Sequence, residues 1–279
     1  MRELGVRAHA ASASLVTAST SEKNEALRTA ADCLAASALE ILEANAVDVK
    51  RAENSGTPDA IIDRLRLDST RIDAMAHGLR QVIDLPDPVG EVLERWTRPN
   101  GLEIEKIRVP LGVVAIIYEN RPNVTSDAFG LCLKSGNSAF LRGSSAAIDS
   151  NVAITRALRE GIGKAGLCED ALLLVTDTSH EAAVEFMQLR GYIDCLIPRG
   201  GPSLIKSILE NAKVPYVIDG DGNCHIYVDR AADLQLAGNV VVNAKMQRPS
   251  VCNAAESLVV HADIAERFLP QIAAALEGV

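Results

Sequence analysis

One cysteine lies in a segment whose neighbouring residues favour nucleophilic chemistry. Cys252 follows Lys245 and Arg248 within residues 243–256, and a Pro-Ser pair in the same segment predicts a turn. Nearby cations and a helix end stabilise a thiolate, which is the reactive form of cysteine. A buried structural cysteine fits the same residue types, so the local pattern leaves both roles open. The six cysteines form no Cys-x-x-Cys pair and no Cys/His cluster with the spacing of metal ligands, so no metal site is predicted.

Two polar turns are candidates for contact with a nucleotide. Residues 198–203 lie between a predicted strand and a predicted helix, and they include Arg199, Gly200 and Gly201. Glycines allow close approach of the backbone to a phosphate, and the arginine supplies positive charge. Residues 141–145 end a predicted strand with Arg142, Gly143, Ser144 and Ser145, a set that suits the 2′-phosphate of NADP. Ordinary solvated turns remain the alternative for both segments.

A glycine pattern elsewhere in the chain has the wrong context for nucleotide binding. Residues 161–166 match Gly-x-Gly-x-x-Gly. The dinucleotide fingerprint must follow a strand and begin a helix, whereas here a helical stretch precedes the glycines and a strand follows them. The pattern therefore predicts a helix C-terminus.

The elements that must position these residues belong to an α/β fold. The first hundred residues are predicted to be mainly helical, with a capping box at Ser19 and Glu22 and a helix over 69–84. Residues 102–109 alternate apolar and charged side chains, which predicts a half-exposed strand that can pair with another subunit. From residue 110 onward, short apolar strands alternate with helices. We therefore predict a parallel Rossmann-type sheet whose ligand-contacting loops are 119–124, 142–146 and 198–202.

The predicted segments after residue 110 have the following limits. Strands are predicted over 112–118, 138–141, 171–175, 192–197, 216–218, 225–228 and 257–260. Helices are predicted over 125–134, 150–162, 180–189, 202–211 and 261–276.

Composition excludes several classes of protein. The 279 residues are 48% apolar and 23% charged, which is typical of a globular protein with a real core. A net charge of −9 provides no global attraction to nucleic acid or to an anionic membrane. The longest apolar stretches, such as 109–118, are about half the roughly 20 residues that span a bilayer. Residues 1–20 do not resemble a secretory signal, so a cytoplasmic location is expected.

Several ordered motifs together closely resemble the γ-glutamyl phosphate reductase family of the aldehyde dehydrogenase superfamily. The resemblance rests on residues 85–90, 99–101, 109–125, 131–137, 141–143, 196–201, 224–229 and 247–253. It implies an aldehyde dehydrogenase-like fold and NADPH-dependent reduction of L-glutamyl 5-phosphate to L-glutamate 5-semialdehyde, in proline biosynthesis. It also implies a homo-oligomer and a functional link to glutamate 5-kinase.

The resemblance implies specific roles for the candidate residues. The Cys252 thiolate would attack the acyl carbon and form a thioester, which NADPH reduces. The Asn123 amide and the Cys252 backbone N–H would stabilise the oxyanion. Arg142 to Ser145 and Arg199 to Gly201 would contact the cofactor, and the absence of an acid near Ser145 favours NADPH.

Three cations are candidates for binding the acyl phosphate or the glutamyl α-carboxylate. They are Arg121, Lys245 and Arg248, and their charge and loop positions alone motivate the hypothesis. Aldehyde-oxidising members of the superfamily carry a glutamate that activates water, whereas Ile218 occupies its expected position here. Loss of that base suits a reductase, which must protect its thioester from water. Asp219 and Asp221 are interpreted as turn formers and not as displaced bases.

The family extends beyond the length of this chain. Residues 1–222 are expected to hold the N-terminal helices and an NADP-binding domain, with 102–109 in an oligomerisation ribbon. Residues 223–279 are expected to begin a truncated catalytic domain. Two alternatives remain: an aldehyde dehydrogenase that oxidises another aldehyde, and a catalytically impaired nucleotide-binding or subunit-interaction protein of the same family.

Overall fold

The computed structural model describes residues 1–218, 222–249 and 251–278 of the chain. They divide into two units, Met1–Ile218 and Asp219–Val279. The helices of the first unit are α1 (Arg2–Leu15), α2 (Thr20–Ala36), α3 (Ala38–Asn54), α4 (Asp59–Leu65), α5 (Ser69–Asp84), α6 (Asn123–Lys134), α7 (Ile148–Lys164), α8 (His180–Met187) and α9 (Pro202–Asn211). Its strands are β1 (Val92–Thr97), β2 (Glu103–Ile107), β3 (Val113–Tyr118), β4 (Ser138–Arg142), β5 (Leu172–Leu174) and β6 (Cys195–Arg199).

The main sheet of the first unit is parallel, with strand order β5-β4-β3-β6. All six residues of β3 are buried, as expected for a central strand that is covered on both faces. The helices that follow β3, β4 and β5 return the chain to the opposite end of the sheet, so each crossover joins two parallel strands. The predicted parallel Rossmann-type sheet is therefore confirmed.

Alternating residues of the strands contribute to two separate core layers. Val114 and Ile116 of β3 pack in the cluster that also contains Leu27 of α2, Phe129 of α6 and Leu158 of α7. The intervening β3 residues belong to a second cluster, which includes Ala8 of α1, Phe186 of α8 and Ile208 of α9. Phe140 of β4 meets Phe186 edge to face, with ring centroids 4.8 Å apart.

The N-terminal helices are joined to the sheet layer by buried polar contacts. The capping box predicted at Ser19 and Glu22 is present at the start of α2. Asp48 of α3 is fully buried and accepts hydrogen bonds from the backbone N–H and the hydroxyl of Ser150 at the start of α7, at 2.8 and 2.6 Å. These bonds satisfy part of the N-terminus of α7 and fix α3 against it.

Strands β1 and β2 form an antiparallel ribbon outside the main sheet. Every residue of β1 is exposed, and β2 is exposed at all positions except Ile104, which is half-buried. The strand predicted over 102–109 is thus confirmed as β2, but it pairs within the chain with β1, which the sequence analysis did not predict.

The second unit contains β7 (His225–Val228), α10 (Leu234–Met246), β8 (Ser257–Val260) and α11 (Ala262–Glu277). The two strands pair in parallel, His225 with Ser257 and Val228 with Val260. Phe268 and Ile272 of α11 pack with Val241 of α10 against this small sheet.

Several predicted boundaries differ from the structure. The strand predicted over 192–197 is wrong at its start, because the N–H groups of Tyr192 and Ile193 both bond to the Leu189 carbonyl in a turn, and β6 begins at Cys195. The strand predicted over 216–218 is reduced to one bridge between Leu196 and Tyr216. The glycine pattern at 161–166 lies at the end of α7, as predicted. Of the helices in the described residues, none is both long enough and apolar enough to cross a membrane.

Candidate active site

The loops that follow β3, β4, β5 and β6 lie at the carboxyl edge of the parallel sheet. Ligands of open α/β sheets bind at this edge, because strand ends and helix starts meet there. The candidate cofactor residues are distributed over two of these loops, 143–147 and 200–201, and over the strand ends that precede them.

Arg142 ends β4 and reaches across to the loop that precedes α8. Its Nη2 donates hydrogen bonds to the carbonyl oxygens of Thr178 and Ser179, at 3.1 and 2.8 Å. Its Nε is buried and has no hydrogen-bond partner within the described ranges. Burial of the guanidinium lowers the pKa of Arg142, while Asp177 opposes that effect. Arg142 thus fixes the loop before α8, and its Nε remains a hydrogen-bond donor without an acceptor among the described residues.

Gly143 follows at a point where no side chain fits. A Cβ atom at this position would lie 2.1 Å from Nδ2 of Asn151 in α7. The Asn151 side chain is fully buried, and its Oδ1 accepts a hydrogen bond of 3.2 Å from Thr125, which in turn shares a 2.7 Å hydrogen bond with Tyr118. A glycine is therefore needed to bring the loop against this buried polar chain.

Ser144 connects two strand-end loops. Its hydroxyl donates to Oδ1 of Asn120, which follows β3, at 2.8 Å. Ser145 begins a short 3-10 turn, and its side chain is exposed. The Ser144 contact fixes the orientation of the Asn120 carboxamide, whose Nδ2 then points away from Ser144.

The turn after β6 contains Arg199, Gly200 and Gly201. Arg199 is the last residue of β6, and its carbonyl accepts a hydrogen bond of 3.3 Å from the Glu119 N–H. A Cβ on Gly200 would lie 2.8 Å from the Glu119 carboxylate, whereas one on Gly201 would meet nothing within 4 Å. Gly201 is the N-cap of α9. The Glu119 carboxylate places a negative charge beside Gly200, which disfavours a phosphate at that one position.

Asn123 is the first residue of α6, and Arg121 lies in the loop that precedes it. The Asn123 amide Nδ2 donates to Oδ2 of Asp127, one turn later, at 2.9 Å. Part of the Asp127 residue is exposed to solvent, but the protein around its carboxyl partly removes it from water and raises its pKa. The hydrogen bond from Asn123 opposes that rise. The backbone N–H of Arg121 donates to the Glu119 carbonyl at 2.5 Å, which closes a tight turn.

Cys252 lies in the second unit, in a loop between α10 and β8, and its side chain is exposed. Turns surround it, because the Val251 N–H bonds to the Arg248 carbonyl at 3.2 Å and the Ala254 N–H bonds to the Val251 carbonyl at 3.1 Å. Lys245 is in the last turn of α10, and Arg248 follows the helix end. The sequence left exposed and buried roles open for Cys252, and the structure places the thiol at the surface beyond the C-terminus of α10. A helix C-terminus carries partial negative charge, so the cations, and not the helix dipole, are the favourable feature of this segment.

The remaining candidate positions are divided between the units. Arg121 and Asn123 belong to the first unit, as do Arg142–Ser145 and Arg199–Gly201, whereas Lys245, Arg248 and Cys252 belong to the second. Ile218 is the last residue of the first unit. Asp219 and Asp221 lie outside the described residues.

Two polar residues of these regions were not among the candidates predicted from the sequence. One is Asn120, whose signal was its position directly after a wholly buried strand. The other is Cys224, whose Sγ lies 3.7 Å from the backbone oxygen of Cys252. The two cysteines are 28 positions apart in the chain, so only the parallel pairing of β7 with β8 makes them neighbours.

Comparison with known sequences places the chain in a family. The model of the aldehyde dehydrogenase family matches residues 5–279. A γ-glutamyl phosphate reductase from Syntrophomonas wolfei is 52% identical over 278 residues, which cover 100% of this chain and 66% of that protein. One from Clostridium botulinum is 53% identical, with 99% of this chain and 67% of that protein covered. The chain thus spans about two-thirds of the length of these curated relatives.

Solved structures agree with the sequence comparison. The crystal structure of γ-glutamyl phosphate reductase from Thermotoga maritima matches with a TM-score of 0.92 and 45% identity, over 99% of this chain and 67% of that one. A probable aldehyde dehydrogenase from Listeria monocytogenes shares the fold at 19% identity, with a TM-score of 0.72 over 98% of this chain and 57% of its own. The chain therefore belongs to the aldehyde dehydrogenase family, and within that family it is similar to γ-glutamyl phosphate reductases at about half sequence identity.

Proposed function

We propose that this chain carries the cofactor-binding residues and the nucleophile of an NADPH-dependent reductase that converts L-glutamyl 5-phosphate into L-glutamate 5-semialdehyde and phosphate, a step of proline biosynthesis. The observation that carries the proposal is the 52–53% identity to γ-glutamyl phosphate reductases over 99–100% of the chain. The exposed Cys252 thiol supplies the nucleophile that such a reaction needs.

The residues at the carboxyl edge of the main sheet fit a dinucleotide phosphate. Gly143 lets the backbone pass against Asn151, and the partnerless buried Nε of Arg142 supplies a donor. Ser145 adds an exposed hydroxyl beside them, and no acidic residue lies within 143–147. Because Glu119 lies beside Gly200, we assign the phosphate of the adenosine side to the loop after β4 and a lesser contact to Arg199 and Gly201. When bound there, NADPH supplies the hydride.

The protein side of the reaction centres on Cys252. Its thiolate attacks the acyl carbon, the bond to the phosphate oxygen breaks, and phosphate leaves with the electron pair. A thioester on Sγ remains, ready for reduction. Lys245, in the last turn of α10, and Arg248, just after the helix, place positive charge in the segment that contains Cys252. Absence of a glutamate base at Ile218 limits hydrolysis of the thioester.

The oxyanion of each tetrahedral species needs preorganised donors. We assign the Cys252 backbone N–H and the Asn123 amide, whose orientation is held by the 2.9 Å hydrogen bond to Asp127. That bond uses one of the two amide hydrogens and leaves the other. Asn120 is a competing donor, because Ser144 holds its Oδ1 and thereby directs its amide nitrogen. Separate alanine substitutions of Asn120 and Asn123 distinguish them: loss of the true donor lowers kcat by roughly 100-fold or more.

Arg121, Lys245 and Arg248 are assigned to the acyl phosphate and the glutamyl α-carboxylate. Replacement of each by methionine removes the charge and retains much of the side-chain length. We expect a higher KM for the semialdehyde or for phosphate, because the lost contact is with that substrate. Arg28→Met, at an exposed arginine paired with Glu25 in α2, is the matched control and leaves both KM values unchanged. Unchanged kinetics in an active-site variant remove that residue from the assignment.

The reverse reaction tests the proposal without the labile acyl phosphate. The purified 279-residue chain is mixed with glutamate 5-semialdehyde, phosphate and NADP, and NADPH formation is followed by absorbance. Phosphate-dependent reduction of NADP that is lost in Cys252→Ala supports the proposal. Activity that survives Cys252→Ala overturns the nucleophile assignment. A folded chain with no activity favours the non-catalytic alternative, and oxidation that does not depend on phosphate favours another aldehyde dehydrogenase.

A further inference from the structure

A second thiol lies next to the proposed nucleophile. Cys224 immediately precedes β7 and is half-buried, and its Sγ lies 3.7 Å from the carbonyl oxygen of Cys252. Cys252 is itself exposed to solvent, so the half-buried Cys224 sulfur lies against the backbone of the residue that carries the accessible thiol. The mechanism proposed above uses Cys252 and gives Cys224 no role.

Backbone hydrogen bonds hold the two cysteines in this arrangement. The Cys224 carbonyl accepts hydrogen bonds from the N–H groups of Glu256 and Ser257, at 2.9 and 3.1 Å. The Ala255 N–H bonds to the Ala244 carbonyl of α10 at 3.0 Å. Cys252 is therefore only three residues from Ala255, which is bonded to α10, and four from Glu256, which is bonded to Cys224. Such a short tether keeps the effective concentration of one thiol near the other high.

Gly222 completes this small cluster. A Cβ atom on Gly222 would lie 3.3 Å from the Cys252 carbonyl oxygen and 3.7 Å from the Cys224 sulfur. The chain thus passes close to both cysteines at a residue without a side chain. A disulfide requires Cα atoms about 4.4–6.8 Å apart. The Cys224 sulfur lies 3.7 Å from the Cys252 carbonyl oxygen, which is two bonds from the Cys252 Cα. Disulfide formation therefore requires the Cys252 loop to turn its sulfur toward Cys224.

We propose that Cys224 and Cys252 form a reversible disulfide when a hydroperoxide oxidises Cys252. Cys224 is then the resolving cysteine, the thiol that reacts with the oxidised Cys252. The bond itself rests on the geometry of the second unit. Its consequence, reversible loss of activity, rests on the proposed function, because the disulfide occupies the sulfur that would attack the substrate.

The chemistry has two balanced steps. The Cys252 thiolate attacks one peroxide oxygen, the O–O bond breaks, and the leaving hydroxide takes a proton to become water, so Cys252 becomes a sulfenic acid. The Cys224 sulfur then attacks the Cys252 sulfur, the S–O bond breaks, and a second water leaves. Two thiols lose two electrons in total, and hydrogen peroxide is reduced to two waters. Disulfide formation also prevents further oxidation of Cys252 to the irreversible sulfinic acid.

Mass spectrometry after peroxide treatment tests the proposal directly. Trypsin places Cys224 in peptide 214–230 and Cys252 in peptide 246–267, because the Arg248–Pro249 bond resists cleavage. We expect a linked pair of these two peptides in the whole chain treated with hydrogen peroxide and then alkylated. Dithiothreitol should convert the pair back into two free peptides. Absence of the linked pair, whatever other form of Cys252 is found, overturns the proposal.

Two variants sharpen the result. Cys224→Ser should abolish the linked pair and increase the sulfinic form of Cys252 several-fold at the same peroxide dose. Cys168→Ser removes an exposed thiol of the other unit and should leave both quantities unchanged. Equal sulfinic formation in wild type and Cys224→Ser contradicts the resolving role. Detection of the linked peptides requires no catalysis. Failure of the proposed function would appear separately, if wild-type protein with both thiols free showed no phosphate-dependent reduction of NADP.

Discussion

At the scale of single residues, Gly143 is the position where a small change should have a large structural effect. Gly143→Ala would place a Cβ atom 2.1 Å from Nδ2 of Asn151, a fully buried side chain that has little room to move. Overpacking of this kind costs about 1–3 kcal/mol. We expect the free energy of unfolding, measured by urea titration, to fall by that amount.

A control and a second variant identify the cause of that loss. Gly78→Ala lies inside α5, where the nearest atom outside the helix backbone, a carboxylate oxygen of Asp127, would be 3.9 Å from the new Cβ. Helix propensity should therefore leave stability equal or higher. Asn151→Ala combined with Gly143→Ala should cost less than the sum of the two single changes, because the clash is removed. Strict additivity would contradict the steric account.

Ser145 tests the proposed preference for NADPH. Ser145→Asp introduces a carboxylate at an exposed position beside Arg142, and it would repel a 2′-phosphate. We expect kcat/KM for NADPH to fall roughly tenfold or more, which corresponds to about 1.4 kcal/mol, while kcat/KM for NADH changes little. Ser145→Asn is the neutral control of similar size and should retain the preference. Equal losses with both cofactors would remove Ser145 from the phosphate site.

Residue-level prediction succeeded where local context carries the information and was incomplete where tertiary contacts carry it. Lys245, Arg248 and the turn at Pro249 marked the segment of Cys252 as a candidate site, although the exposure of the thiol itself was left open. The partners of Asn120, Asn123 and Cys224 depend on which strand ends and helix turns become adjacent. The Ser144–Asn120 contact joins residues 24 positions apart, so spacing in the sequence contains no direct signal for it.

At the scale of elements, a buried ion pair holds α2 to the loop that follows α5. Lys23 is 1% exposed, and its Nζ lies 2.6 Å from Oδ2 of Asp87. Asp87 also accepts hydrogen bonds from the Thr20 hydroxyl at 2.6 Å and the Val89 N–H at 3.0 Å. Burial alone would raise the pKa of Asp87, but these hydrogen bonds hold it below its usual range. The bond from Lys23 makes the largest contribution to that lowering.

Asp87→Asn should therefore destabilise the protein in a pH-dependent way. At neutral pH the variant leaves Lys23 buried without a charged partner, which costs about 3–5 kcal/mol. Because the pKa of Asp87 is lower in the folded state, its carboxylate stabilises the fold at pH values above the unfolded pKa of about 3.9. That stabilisation is lost as the pH falls through the folded-state pKa. Urea unfolding should show a large difference from wild type at pH 7 that narrows in acid.

The exposed pair between Arg80 and Asp32 provides the control for this prediction. Their side chains are 46% and 61% exposed, so Asp32→Asn should cost less than about 1 kcal/mol. If Asp87→Asn cost no more than Asp32→Asn, the Lys23–Asp87 pair would not have the role assigned to it.

Elements with a clear hydrophobic period were predicted well, and those without one were not. α5 and α9 were placed at their observed limits, because apolar residues recur on one face. α10 was missed because its Val240–Val242 run favours a strand locally, although Asp233 caps the helix through two backbone N–H groups. β1 was missed because both of its faces are exposed, which removes the alternation that marks a half-buried strand.

At the scale of the whole molecule, the β1–β2 ribbon is where we expect copies of the chain to associate. Its large apolar side chains remain accessible, with Trp96 at 41%, Val92 at 44% and Ile107 at 49% exposure. A two-stranded ribbon is marginally stable alone, so association would bury these side chains and stabilise it. The homo-oligomer implied by the sequence resemblance therefore remains a proposal with a defined surface.

Light scattering coupled to size-exclusion chromatography tests this surface. Trp96→Lys should shift the wild-type oligomer to a smaller species, since a charge replaces the largest apolar side chain of the ribbon. Thr97→Lys, at the adjacent exposed position on the opposite face of β1, is the control and should retain the wild-type mass. A wild-type chain that is already monomeric at micromolar concentration would contradict the association.

Direct observation of the acyl group on Cys252 tests the central claim, that this thiol is the nucleophile for an acyl phosphate. The chain is incubated without NADPH while glutamate 5-kinase and ATP generate L-glutamyl 5-phosphate from glutamate, and peptide 246–267 is then examined by mass spectrometry under acidic conditions. The account predicts one glutamyl group on Cys252 that hydroxylamine removes and that Cys252→Ala abolishes. An unmodified Cys252 in a folded chain, or a glutamyl group on another residue, would contradict it.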